Sequence, residues 1–335
     1  MRELKRLSIG KNSYRQYHKK FSSYLRFCRS QRYKIASTST IEEYGAFLSN
    51  TRSMTGANFA GHVSAINFHL KLRNRGFNID HLPGLRMTRA GMTRKAASQR
   101  QIKRVVRRAC VRRLIERMIK TLAPNDPLYR WKVIMYLLGH DTLLRSSNIG
   151  YIHAHPEWYL TPSDVTFYPN NHQPTKVGIN LTGSKTNQNY SEEVRYAHCV
   201  CAKHRPCLVH LLLEVWRIRR HFPNKWLFIK PNGKPFTRYD IVQTLEHACT
   251  KLGLNKKHYT PHCLRIGGAT NLYWNGISIE EIAKRGHWRS DCVLTYLRAD
   301  NPDLLKLGLT QRTVIRPLPL QRRKLGRKKL WNQRY

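Results

Sequence analysis

Acidic residues are scarce in this 335-residue chain: 19 Asp and Glu stand against 61 Lys and Arg, a formal charge of +42 at pH 7. Folding does not need such an excess. It marks the partner as a polyanion, above all nucleic acid. An anionic membrane surface would suit the charge too, but long hydrophobic runs are also missing. The apolar stretch "VIMYLLG" (133–139) falls far short of the roughly 18 residues a membrane span needs. The N-terminal stretch "MRELKRLSIGKNSYRQYHKKF" lacks the apolar core of a signal peptide. Cysteines are few and scattered, at 28, 110, 199, 201, 207, 249, 263 and 292, which argues against a disulfide framework and for a reduced intracellular compartment. What is present is ample apolar material, 41% of the residues, in a chain long enough for two domains.

One cysteine cluster is denser. In "HCVCAKHRPC" (198–207), Cys199, Cys201, His204 and Cys207 are candidate zinc ligands. The Cys-x-Cys step is tighter than most structural sites use, and Arg205-Pro206 reads as the entry to the apolar helix "CLVHLLLEVWRIRRHF". A loop with unbound thiols is therefore the expectation, with no metal or other cofactor required.

Periodicity divides the rest. Residues 13–30 place Tyr14, Tyr17, Phe21, Tyr24, Leu25 and Cys28 on one helical stripe. "STSTIEEYGAFLSN" offers a capping box at Thr40 and Glu43 and predicts a second helix. Residues 55–74 predict a third, with Phe59, Val63, Ile66, Leu70 and Leu72 facing a core. Residues 1–82 thus read as a basic helical bundle. Residues 83–113 read as a basic linker, suited to crossing a phosphate backbone and turning helical from about Gln99; positions 86–113 hold eleven Lys or Arg and no acid. Residues 126–152 predict a long buried helix ending in a loop. "SDVTFYP", "KVGINLTGSK" and "EEVRYAHC" predict a small antiparallel sheet. Residues 238–254 predict a helix, Thr260-Pro261 opens another, and Ser278 with Glu281 caps a third. The last segment, 301–335, is a basic tail suited to nuclear import, DNA contact or docking on a neighbouring subunit. The fold class expected is mainly α with a small antiparallel β-sheet.

Several polar side chains fall where anion chemistry would want them. Arg145 ends an otherwise apolar helix, and a buried arginine needs an anion. Lys185 sits at the turn of a hairpin, where a long side chain reaches into a cleft. His262 and Arg265 lie three apart at a helix start and project from one face. His287 precedes Tyr296 by nine residues. Each signal is weak alone; together and in this order, "LLRSSNI", "SKTNQ", "HCLRIGGAT" and "GHWRSD…Y" resemble the tyrosine recombinase (phage integrase-like) family. The resemblance is closest to recombinases of eukaryotic mobile elements of the Crypton, Ngaro and DIRS-like groups. It covers about residues 135–298, and 13–82 more weakly, on helix pattern only.

The resemblance implies an N-terminal helical core-binding domain (1–82) and a mixed α/β catalytic domain (114–300) clamping double-stranded DNA, with a tetramer on two duplexes as the working unit, exchanging C-terminal segments, in the nucleus. Arg145 and Arg265 would hold the non-bridging oxygens of the scissile phosphate, and His287 would bond a phosphate oxygen. His262 would take the phenolic proton of Tyr296, the nucleophile. Lys185 would protonate the leaving 5′ oxygen. A covalent 3′-phosphotyrosyl link would result, with no metal or ATP. Relatives often carry a carboxylate where this chain has Asn148, which is left to orient Arg145 by hydrogen bonding. Lys176 is a weaker candidate for the acid. Ser146 and Ser147 read equally as phosphate contacts or helix caps, Trp288 as core or as a neighbour of His287, and His258 and Tyr259 as packing residues. Tyr190 is not expected to be the nucleophile. A type IB topoisomerase, a catalytically silent DNA-binding protein and a basic RNA-binding protein remain as rival readings.

Overall fold

The computed structural model describes residues 8–52, 54–73, 82–99, 105–183, 192–203, 205–222, 225–288 and 291–309. The chain divides into two compact units, residues 1–104 and 105–335.

The first unit is helical: α1 (Lys11–Ser30), α2 (Thr38–Arg52), α3 (Gly56–Lys71) and α4 (Pro83–Ser98). Phe21, Tyr24 and Cys28 of α1 meet Tyr44 and Leu48 of α2 and Phe59, Val63, Ile66 and Leu70 of α3 in one core. Tyr14 and Tyr17 stay half-buried. Two expectations change. Helix α2 starts ahead of Thr40, which is buried inside it rather than capping it. The stretch expected to begin a linker at residue 83 is instead helix α4, with Pro83 at its first turn and Leu85, Met92 and Ala96 buried. Its many basic residues lie around a narrow apolar stripe, so charge obscured the periodicity. Helix α4 ends at Ser98, and residues 105–111 are not helical.

The second unit is mainly helical with a three-stranded antiparallel sheet, as expected. In order it holds α5 (Arg112–Ile119), α6 (Tyr129–Asp141), α7 (Ser146–Ile149), β1 (Val165–Tyr168), β2 (Lys176–Asn180), β3 (Val194–His198), α8 (Leu208–Arg219), α9 (Arg238–Lys251), α10 (His262–Trp274), α11 (Ile279–Gly286) and α12 (Pro302–Lys306). The sheet register pairs Val165 with Ile179 and Gly178 with Tyr196. Helix α10 runs through the middle, buried along most of its length against α6. The paired glycines of "RIGGAT" make this approach possible. A Cβ on Gly267 would lie 1.9 Å from the Cys110 carbonyl oxygen, and one on Gly268 would lie 2.0 Å from that of His140.

The long helix expected over 126–152 breaks. Helix α6 ends at Asp141, Leu143 adopts a left-handed φ of 55°, and Arg145 becomes the residue preceding the short α7. The expected tail is docked at its start. Tyr259 donates to Asp303 (2.7 Å), Asn301 donates to the Ala109 carbonyl (2.8 Å), and Arg108 pairs with Asp303. Residues beyond 309, and with them the proposed exchange of C-terminal segments, lie outside the described residues.

In the cysteine cluster, Cys199, Cys201 and Cys207 converge, but the histidine that joins them is His210 on α8. His204, the expected partner, lies outside the described residues. The three thiols, each a free cysteine, lie in one cluster.

Candidate active site

Helix α10 begins with His262, and one turn later Arg265 points to the same side. Burial here is nearly total: Arg265 is 1% exposed. An arginine so buried must spend its N–H groups on acceptors. One Nη donates to the Leu143 carbonyl and the other to the Gly286 carbonyl (2.7 Å). The left-handed turn at Leu143 delivers the first of these carbonyls. Nε finds no acceptor among the described residues. The guanidinium carbon lies 4.4 Å from the Trp288 ring centroid and 5.6 Å from that of Tyr296.

Tyr296 follows a 3-10 turn (Asp291–Thr295). Its carbonyl accepts from Thr270 Oγ1 at 3.1 Å, which ties it to α10. Its half-buried ring packs 4.6 Å from Trp288 and edge-on to His262, with centroids 5.1 Å apart. The phenol is therefore neither sealed in the core nor remote from arginine. Trp288 is 8% exposed and fills both places considered for it: it belongs to a satellite core with Leu143, Tyr273 and Ile282, and it floors the site.

Electrostatics define the cluster. Burial, reinforced by the charges of Arg145 and Arg195, brings the Arg265 pKa down to about 9, while Tyr296 and Glu193 oppose the shift. Burial, then the charges of Arg265, Arg107, Arg145 and Arg298, lowers His262 from 6.5 to about 4. At neutral pH His262 is an uncharged base and Arg265 remains a cation. The guanidinium groups of Arg145, Arg195 and Arg265 influence one another, with Glu193 as the carboxylate beside them. Such a site holds more positive charge than it can balance, and an anion completes it.

Because the folded pKa of His262 lies below its unfolded value, the unfolded chain takes up the proton first on acidification. The contribution of His262 to stability is therefore present above pH 6.5 and lost as pH falls from there to about 4. Thermal melts across that window should show a shallower decline for His262→Asn than for the parent. Some pH dependence will persist from His62 of the first unit, which burial, with Lys20 and Arg52, also lowers to about 4. Superimposable profiles would remove the buried-base reading.

Sequence reasoning missed Glu193 and Arg195. Arg195 is 2% exposed, pairs with Glu193, and donates to the carbonyls of Arg285 and Gly286. A signal existed: alternation along β3 puts Glu193, Arg195 and Ala197 on one face, so two charges share the side that packs inward. Glu193→Gln would leave Arg195 buried without its counter-ion, and breaking one partner of such a pair costs about 3–5 kcal/mol. Urea unfolding should register a loss of that order; a change below about 1 kcal/mol would mean solvent already screens the pair.

The remaining expected residues fall differently. His287 ends α11 in a left-handed conformation (φ 48°) that turns the chain back, so that Trp288 N–H bonds the Ala283 carbonyl. Its ring is 42% exposed, with Nδ1 3.7 Å from Glu193. It sits on a cleft of about 860 Å³ shared with Lys176, Arg195 and Arg285; Arg145, His262, Arg265 and Tyr296 do not line that cleft. The amide N–H of Asn148, the residue expected to orient Arg145, donates to the Gly183 carbonyl at 2.9 Å, at the edge of the hairpin. Lys185 and Tyr190 lie outside the described residues. Lys176 is held over the rings of Tyr168 (4.5 Å) and Tyr196 (4.8 Å). Tyr259 is buried, as expected, and His258 bonds the Val106 carbonyl.

Residues 206–301 match the model of the Phage integrase family. No curated protein matches the chain. Among solved structures, the chain is similar to the XerH site-specific recombinase in a post-cleavage complex with palindromic difH substrate. The two are 14% identical, with 88% of this chain and 77% of the other covered and a TM-score of 0.57. It is also similar to the Tn1549 transposon integrase in complex with transposon right end DNA, at 13% identity, covering 81% and 83%, with a TM-score of 0.52. A further structure of that integrase, with a circular intermediate DNA, gives 14%, 81% and 83%, and 0.51. At these identities the likeness is one of fold.

Proposed function

We propose that this chain is a tyrosine recombinase, which cuts and rejoins double-stranded DNA through Tyr296 with Arg145, Lys185, His262, Arg265 and His287 as its partners. The carrying observation is the placement of a half-buried phenol against a neutral histidine, 5.6 Å from the centre of a buried guanidinium in an under-neutralised basic cluster. The DNA carried by the similar solved structures, the family match and the charge of +42 support the same substrate.

The chemistry follows from the groups. The phosphodiester brings the anion that the cluster lacks. His262 accepts the phenolic proton as Tyr296 Oη bonds to phosphorus. The pentavalent transition state carries extra charge on its non-bridging oxygens, which Arg145 and Arg265 stabilise. His287 is assigned an outer phosphate oxygen. The bond to the 5′ oxygen breaks, and Lys185 supplies that oxygen's proton. A 3′-phosphotyrosyl link and a 5′ hydroxyl result. Attack by a 5′ hydroxyl from a partner duplex reverses the step, so the phosphoryl bond is conserved without ATP. The motif pattern further supports a mobile-element enzyme of the Crypton, Ngaro or DIRS-like kind, acting in the nucleus as a tetramer on two duplexes.

A nicked duplex that loses its 5′ hydroxyl fragment after cleavage tests this. With DNA from the ends of the element flanking the gene, a covalent protein–DNA adduct should accumulate without added divalent metal and without nucleotide. Binding without any adduct would support a silent DNA-binding protein instead. Relaxation of supercoiled plasmid by the monomer, with no strand exchange, would support a topoisomerase.

A further inference from the structure

The cysteine cluster plays no part in the phosphoryl chemistry, yet its geometry is specific. Cys199 directly follows β3, and its N–H continues the ladder to the Thr175 carbonyl at 2.8 Å. Cys201 opens a 3-10 turn. Cys207 is the residue preceding α8, and His210 lies three residues on, one turn along the same face. The four donor atoms, three Sγ and one ring nitrogen, all lie within 4.8 Å of one another.

Their spacings decide what the cluster is. Cys199 Sγ and Cys207 Sγ are 3.8 Å apart, far beyond a disulfide bond length of about 2.05 Å. His210 Nδ1 lies 3.2 Å from Cys201, 3.5 Å from Cys207 and 3.7 Å from Cys199. A tetrahedral zinc with Zn–S of about 2.3 Å and Zn–N of about 2.05 Å requires S···S edges of about 3.8 Å and S···N edges of about 3.6 Å. The Cys199–Cys207 edge matches, the three edges to His210 fall within about 0.4 Å, and the two remaining S···S edges are no longer than 4.8 Å. The Cys201 N–H also points at Cys199 Sγ, 3.5 Å away, the kind of contact that supports a metal-bound thiolate.

We propose that Cys199, Cys201, Cys207 and His210 form a structural zinc site. With four protein ligands the coordination is closed, so the ion takes no part in catalysis. It clamps the end of β3 to the start of α8. Strand β3 carries Arg195, and Glu193 just precedes it; the pair reaches the carbonyls beside His287. The ion is thus a staple behind the strand that braces the candidate active site. The site assignment itself stands whether or not the recombinase reading does.

Zinc content of the full chain, purified under reducing conditions, provides the test. One zinc per chain is expected, released in step with titration of the thiols by a mercurial. Replacement by cobalt should give the strong visible absorption of a tetrahedral thiolate site. Cys207→Ser and His210→Ala should lose the metal, whereas His204→Ala and Cys292→Ser should keep it. Zinc should shield Cys199, Cys201 and Cys207 from alkylation while exposed Cys292 reacts. Absence of zinc after growth in zinc, with no cobalt absorption, would overturn the proposal without reliance on any variant. So would a native Cys199–Cys207 disulfide found by mass spectrometry. Metal lost in His204→Ala but kept in His210→Ala would overturn the assignment of the fourth ligand.

Discussion

Tyr296→Phe should abolish covalent capture of DNA while leaving the fold and the affinity for DNA nearly unchanged. The substitution removes one oxygen. The ring remains, and with it the contacts to Trp288 at 4.6 Å and His262 at 5.1 Å between centroids. Loss of a partly exposed hydroxyl costs at most about 1 kcal/mol of stability. Without it no atom stands in position to attack phosphorus, and losing a nucleophile costs on the order of 10⁴-fold or more in rate. The adduct band on a denaturing gel should disappear even at high enzyme concentration, while gel shifts and melting temperature match the parent. A persistent adduct in the variant would move the nucleophile to another side chain and remove the role assigned to Tyr296.

Arg265→Lys should slow single-turnover cleavage by roughly 10²–10³-fold, the usual cost of losing an aligned donor to a developing oxyanion. Lysine keeps the charge but not the planar fork. The parent side chain bonds two carbonyls, of Leu143 and Gly286, while also facing the Trp288 and Tyr296 rings. One ammonium cannot do all of this, so a loss of about 1–3 kcal/mol in stability should accompany the slow step. The two effects separate by substrate. A neutral methylphosphonate at the scissile position lowers the charge that the transition state must carry. It should narrow the gap between variant and parent if Arg265 acts on that charge. An equal gap on both substrates, together with a lowered melting temperature, would assign Arg265 to the fold rather than to the phosphate.

Much of the second unit was legible because its signals are local. Alternating residues marked β1 to β3, and apolar periodicity marked α8 and α9. The i, i+3 step of His262 and Arg265 put both on one face before any tertiary contact was known. The failures share a cause. Leu143 carries no local mark of a left-handed residue, yet its turn is where its carbonyl meets the Arg265 guanidinium. Asn148 could not be assigned to Gly183 from a separation along the chain. Helix α4 was hidden because its charge outweighed three buried apolar positions. His204 lies outside the described residues, and it is His210, one helical step beyond Cys207, that the structure brings to the three thiols.

The amino-acid sequence alone determined a charge of +42, suited to a polyanion, and the order of the residues suited to holding a phosphate. It also determined the helices and strands whose periodicity is local. Only the tertiary structure decided which cations share one low-dielectric region, that Glu193 and Arg195 belong with them, that His262 is neutral, and that His210 faces three thiols. Burial and through-space charge depend on what is packed nearby, and neighbours in space need not be neighbours in the chain.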